Sequence, residues 1–160
     1  MITIISAISQ NKVIGFDNKI PWKSSEDIEK FREIITGKIV VMGRKTFESL
    51  KNYFPENNGH PLALKNIVLS TTLQNIPGIE IYKTPKDILE KYKNNDLFII
   101  GGSQIYKEFL SFSDEIDLTI IPGNYDGDSF FPDFENDFRL VGETKGKSKN
   151  IVFQKWVRNQ

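Results

Sequence analysis

The sequence has no cysteine and a single histidine, His60. The first absence removes disulfides and thiolate metal sites, and the second leaves too few imidazoles for a histidine-based centre. Transition-metal catalysis is therefore not expected, and no metal is assigned. An excess of one charge is missing too: Lys plus Arg and Asp plus Glu number 21 each, and neither sign forms a long block. Such a surface offers no broad basic face for a phosphate backbone, so nucleic acid is not an expected partner. No stretch approaches the ~20 apolar residues that cross a bilayer. The opening Met1-Ile-Thr-Ile-Ile-Ser-Ala-Ile-Ser9 lacks a basic leader and carries polar residues within its apolar run. The expectation is a soluble, cytoplasmic protein without a membrane partner.

What is present is enough to build a core. Hydrophobic residues make up 39% of the 160, twelve of them Phe, and a chain of this length buries about 70% of its unfolded surface. One domain spanning residues 1–160 is expected. Short β-branched runs recur at 2–8, 38–42, 66–70, 78–82, 97–100 and 115–121. Most are separated by stretches that suit helices, which predicts βαβ units on a largely parallel sheet. Runs at 138–144 and 151–156 flank the polar turn 145–150 and predict an antiparallel hairpin at the sheet edge. The fold class read from this is α/β, with a central, mostly parallel mixed sheet, antiparallel C-terminal strands and helices on both faces.

Three helices carry start signals: Ser24 and Ser25 before 28–36, Thr84-Pro85-Lys-Asp87, and Ser103 before 104–110. Gly37 is expected to stop the first. The turn-rich segment 52–61 reads as an exposed loop.

The first helix holds an anomaly. At about 100° per residue, with Asp27 at zero, Ile34 falls near −20°, Phe31 near +40°, Ile35 near +80° and Ile28 near +100°. Asp27 lies inside the apolar arc. A desolvated carboxylate is costly and its pKa rises, which marks a candidate site. A first-turn acid after Ser24 also suits a capping box. The helix alone does not choose between these.

Two further strands end in glycine and run straight into helix starts. At Gly43-Arg44-Lys45-Thr46, backbone N–H groups and two cations would face an anion. At Gly101-Gly102-Ser103-Gln104, paired glycines let backbone approach a ligand at the carboxyl end of a strand. Each reads alternatively as a tight turn. Neither fits the G-x-G-x-x-G or P-loop pattern, so an ordinary dinucleotide or P-loop site is not indicated. Asn124, Asp126, Asp128 and Glu135 mimic part of a calcium loop, but Ser129 stands where glycine is required and Pro132 interrupts it.

Taken in order, Ile5-Ser-Ala7, Val13-Ile14-Gly15, Ile20-Pro21-Trp22, Asp27 to Phe31, Met42 to Ser49, Lys65 to Ser70, Ile100 to Tyr106, Leu118-Thr119, Gly127-Asp128 and Phe131-Pro132 resemble the bacterial-type dihydrofolate reductase family over nearly the whole chain. The resemblance implies NADPH-dependent reduction of dihydrofolate in one-carbon metabolism. It casts Asp27, Trp22 and Thr119 in the catalytic centre, with Ile5, Ala7, Ile28, Phe31, Arg32, Leu50, Ile100 and Tyr106 around the substrate. It assigns the cofactor to Ala7, Ile14, Gly15, Asn18, Gly43, Arg44, Lys45, Thr46, Ser70, Thr71, Gly101, Gly102, Ser103, Gln104 and Ile105. A fixed carboxylate suits the paired N–H donors of a pterin, and the loop from Ser9 to Lys23 is expected to cover the nicotinamide. The implied partner is a small molecule, with the chain acting as a monomer.

Two departures stand out. Leu64 occupies the position where the family usually has an arginine for the substrate's glutamate tail, leaving Arg32, Lys51, His60 or Lys65 as substitutes, and Gln104 replaces a frequent arginine after the glycine pair. The expectation is weaker tail binding or a modified, tail-less pterin substrate. A riboflavin-pathway pyrimidine reductase and a nucleotide-binding regulatory module are the rival readings. Asp27 argues against the first, and an Asp27→Asn test separates the second.

Overall fold

The computed structural model describes residues 1–148 and 150–160. Its strands are β1 (Ile2–Ser9), β2 (Val13–Gly15), β3 (Ile39–Gly43), β4 (Lys65–Leu69), β5 (Ile79–Tyr82), β6 (Leu97–Ile99), β7 (Glu115–Ile121), β8 (Ser129–Phe130), β9 (Phe138–Lys145) and β10 (Val152–Arg158). The helices are α1 (Ser25–Ile35), α2 (Arg44–Ser49), α3 (Pro85–Lys91) and α4 (Ser103–Leu110), with 3₁₀ turns at Leu50–Tyr53 and Pro55–Asn57. Eight strands form one sheet in the order β5-β4-β3-β6-β1-β7-β10-β9, and β2 pairs with β8 apart from it. β1 through β7 of the main sheet run parallel, while β10 is antiparallel to both β7 and β9. The expected α/β class and C-terminal hairpin are both present. Position 149 of the hairpin turn lies outside the described residues.

Strand periodicity sorts the core into two layers, because successive side chains leave opposite faces. Ile4 and Ile8, Ile39 and Val41, and Ile67 and Leu69 pack with Ile88 of α3 and Ile105, Tyr106 and Phe109 of α4. Their neighbours Ile5, Val40, Met42 and Val68 pack with Ile35 of α1 and Phe47 of α2. Helices thus cover both faces, as all-parallel central strands require.

Caps explain the helix starts. The hydroxyls of Ser24 and Thr84 accept from the N–H groups of Asp27 and Asp87, and Pro85 occupies the first turn of α3. Gly37, at φ 73°, follows the end of α1. α2 and α4 have no side-chain cap: α2 follows Gly43 directly, and Ser103 is the first residue of α4 after Gly102 rather than its cap. The expected exposed loop at 52–61 is corrected: it folds as two 3₁₀ turns around Phe54, which is 0% exposed. β2 and β8 also form where only loop was expected, and Phe131 beside them is buried.

Candidate active site

Asp27 enters the site through the geometry of its own helix start. Its N–H donates to Ser24 Oγ at 3.1 Å, and the Ile28 N–H donates to the Ser24 carbonyl at 3.2 Å. The capping half of the alternative reading is therefore real, yet the carboxyl group turns inward and the residue is 7% exposed. Burial pushes its pKa from 3.8 up to about 6, while the Thr119 hydroxyl, stabilising the charged form, pulls the other way. Thr119 lies on β7 opposite Ala7 of β1. The register of the two central strands brings it to the carboxylate.

Asp27 and Thr119 open into a cavity of about 1230 Å³. Ile5, Ala7, Ile28, Phe31, Leu50, Ile100 and Tyr106 all line it, giving the carboxylate an apolar surround wide enough for a flat ring. Tyr106 is fixed by donating its hydroxyl hydrogen to the Ile5 carbonyl at 2.7 Å. Trp22 is 8% exposed and meets Tyr125 edge-on at 5.3 Å. Its buried Nε1 has no hydrogen-bond partner among the described residues.

The same cavity is bounded by Gly43, Arg44, Lys45, Thr46 and the run Gly101 to Ile105. β3 and β6 are neighbours, so their glycine ends meet, and the Gly43 N–H donates to the Gly101 carbonyl at 2.8 Å. Side chains are excluded here. A Cβ on Gly43 would lie 2.9 Å from Ile105 Cγ1, and one on Gly101, at φ 119°, would lie 3.0 Å from the Tyr106 hydroxyl. Arg44 is held by Glu48 at 3.1 Å, and Gln104 by Glu108 at 3.0 Å. Ile14, Gly15 and Asn18 close the opposite wall. Their loop is tied down where the Asp17 N–H donates to Asp128 at 3.1 Å and the Asp128 N–H to the Gly15 carbonyl at 3.1 Å. Asp128 and Glu135 of the calcium-like run are thus engaged singly, Glu135 pairing with Lys12.

Other expected residues stand apart. Lining at the end of β4 stops at Leu69, and the Ser70 hydroxyl instead accepts from the Thr72 and Leu73 N–H groups at 3.1 Å each, with Thr71 exposed beside it. Arg32 borders an adjoining recess of about 450 Å³ together with Ile28 and Tyr53. There it is bound to Glu56 and to the Tyr53 carbonyl, and its guanidinium covers the Phe54 ring at 4.6 Å. The substitutes for the missing arginine do not line the cavity: His60 stacks on Phe47 at 5.3 Å, Lys65 bonds Glu80 at 2.6 Å, and Lys51 is exposed. Leu64 is 71% exposed.

Sequence reasoning misses Ser49, Tyr53 and Phe54, which also line the cavity. Thr46, Ser49, Leu50 and Tyr53 follow the i, i+3, i+4, i+7 spacing of one helical face, a signal that could have found Ser49 and Tyr53. It also misses Lys30, Asp117 and Lys155. Lys30 lies three residues after Asp27 on the helix, and Asp117 two before Thr119 on the strand.

The class this arrangement defines is an α/β enzyme with two bound partners. A heterocycle would meet the buried carboxylate, and a phosphate-bearing cofactor would lie along the glycine-ended strands at their carboxyl ends. The family follows from likeness to known proteins. The chain belongs to the dihydrofolate reductase family, whose model matches residues 1–158. It is 34% identical to a dihydrofolate reductase of Bacillus subtilis over 149 residues, covering 91% of this chain and 84% of that one. It is 32% identical to one of Staphylococcus aureus over 155 residues, covering 94% and 92%. The fold superposes on dihydrofolate reductase from Enterococcus faecalis complexed with NADP(H) and RAB-propyl, with a TM-score of 0.87, 25% identity and coverage of 100% and 97%.

Proposed function

We propose that the protein reduces 7,8-dihydrofolate to 5,6,7,8-tetrahydrofolate with NADPH, acting as a cytoplasmic monomer whose residues 1–160 form one domain. Both core layers draw on β1, β3 and β4 of one continuous eight-stranded sheet, which supports the single domain. The observation that carries the activity is the buried Asp27 carboxyl in an apolar cavity shared with two glycine-ended strands.

The residues present fit the cofactor. Gly43 and Gly101 present bare backbone at the cavity edge, Arg44, Lys45 and Thr46 offer cationic and hydroxyl donors for phosphates, and Ser103 lines the same end with its hydroxyl donating to the Phe130 carbonyl at 2.7 Å. NADPH, when bound, supplies the hydride. Asp27 accepts the paired N–H donors of the pterin and orients the ring, and its raised pKa keeps a proton available for pterin N5. Thr119 holds the carboxyl group in place. Trp22 and the loop through Asn18 exclude water from the ring.

Mixing purified protein with NADPH and dihydrofolate should give a loss of reduced-nicotinamide absorbance equal to the dihydrofolate added. Binding of NADPH without any such loss would overturn the reading in favour of a nucleotide-binding module.

A further inference from the structure

The cavity does not end at Asp27. Beyond Thr119 it continues between α1 and the C-terminal strands, where Lys30, Asp117, Gly142, Thr144, Phe153 and Lys155 line it. The register accounts for this: Ala7, Thr119 and Phe153 form one row across β1, β7 and β10, and Ile5, Asp117 and Lys155 form the next row on the same face. Gly142 of β9 stands opposite Lys155 and contributes no side chain to close the row. Lys30, one turn beyond Asp27, lies with its Nζ 5.4 Å from the centre of the Phe153 ring. Exposure grades outward from buried Asp27 and Thr119 through half-buried Asp117 to exposed Lys155.

An apolar row here would have sealed the back of the site at less desolvation cost. We propose that this rear passage supplies protons to Asp27, with Asp117 as the relay group at its midpoint and Gly142 leaving its mouth open. The inference rests on the reductase reading, in which each turnover takes up one proton at pterin N5 while ligands fill the front of the cavity. The proton passes from solvent to the Asp117 carboxylate and on to Asp27, which gives up one proton toward pterin N5, so both carboxyl groups return to their starting states. Asp117 is faced by Glu115 on its own strand, Lys155 on β10 and Lys30 on α1, while β1 and β9 offer only Ile5, Gly142 and Thr144. Burial raises its pKa, Lys155 opposes the rise, and Lys155 itself is tied to Glu115 at 2.8 Å. Among the described residues the Asp117 carboxyl makes no side-chain hydrogen bond, which leaves it free to exchange.

The test is single-turnover reduction of dihydrofolate in H₂O and D₂O across pH. In Asp117→Asn the rate above pH 6 should fall about 3- to 10-fold, the solvent isotope effect should rise, and added imidazole buffer should restore the rate. The KM for dihydrofolate and NADPH affinity should not move. Gly142→Leu keeps Asp117 and fills the mouth; it should raise the isotope effect without buffer rescue, and it carries the test if the first variant does not fold. Wild-type pH profiles and isotope effects in both variants would overturn the passage alone. A wild-type protein inert toward dihydrofolate would overturn the reductase reading and the passage with it.

Discussion

Arg32 is occupied by a carboxylate that the protein itself supplies. Glu56, on the second 3₁₀ turn, binds the guanidinium whose other nitrogen donates to the Tyr53 carbonyl, in the recess beside Ile28. Such a fork suits a bidentate carboxylate, and Glu56 takes half of it.

The consequence concerns the glutamate tail of dihydrofolate. With Leu64 exposed and apolar, and Arg32 already engaged, removing the tail should cost less than about tenfold in kcat/KM. Glu56→Gln should release the fork and raise the preference for dihydrofolate over a tail-less dihydropterin by about threefold. Steady-state kinetics with both substrates decide this. A penalty above about a hundredfold in the unaltered protein would show that the tail is gripped elsewhere.

Asp27→Asn separates the chemistry from binding. NADPH affinity should be kept while single-turnover reduction falls by about 10²–10⁴-fold. For the unaltered protein, kcat/KM should be level below pH 6 and decline above it, following the carboxyl group whose pKa is about 6. That bend should vanish in the variant.

The same residue predicts a stability effect opposite to that of an acid whose carboxylate is ion-paired in the folded state. Its folded pKa lies above the ordinary 3.8, so between 3.8 and about 6 the folded state binds more protons than the unfolded one. Stability then falls as pH rises through that window, and by pH 7 the loss amounts to about 3 kcal/mol. Asp27→Asn should melt higher than the unaltered protein at pH 7 and equally at pH 4. Calorimetry at the two values checks this, and a lower melting point at pH 7 would contradict burial as the cause.

Periodicity makes most of this site legible in the sequence. Asp27 stands out as the polar residue within an apolar helical arc, and Gly43 and Gly101 as glycines closing β-branched runs. Residues joined by long-range pairing are harder to see. Asp117 and Lys155 are neighbours only through the β7–β10 register, and nothing local in either strand announces the other. The pairing of Arg32 with Glu56 is hidden for a different reason: the segment 52–61 carries turn residues at most positions, while its fold depends on burying the single ring of Phe54. Ser70 shows a choice that the sequence leaves open, because a hydroxyl at a strand end serves the turn that follows as readily as a ligand.

Gly101 should not tolerate a methyl group. Its φ of 119° disfavours any L side chain, and the added Cβ would press on the Tyr106 hydroxyl that is bonded to Ile5. Gly101→Ala should cost about 1–3 kcal/mol, lowering Tm by about 3–10 °C. It should also weaken NADPH by displacing the Gly101 carbonyl from the Gly43 N–H. Titration of the folded variant at a temperature below its transition measures the second effect, and unchanged affinity would mean that the glycine ends do not hold the cofactor.

Trp22 offers a spectroscopic reading of the closed site. Only two tryptophans exist, and Trp156 is already satisfied by donating to Gln154 at 3.0 Å, on the side of the sheet that packs Phe134. Trp22 lines the cavity with a buried indole N–H that no described residue accepts. Ligand binding should therefore change Trp22 emission and leave Trp156 emission as it was. Trp22→Phe should abolish the ligand-dependent change and lower kcat more than it raises KM, since it loosens the cover that keeps water from the ring during the chemical step. Trp156→Phe is the control and should keep the full response. A signal that survives in Trp22→Phe and disappears in Trp156→Phe would place the bound ring on the other side of the sheet, and with it the whole assignment of the cavity would fail.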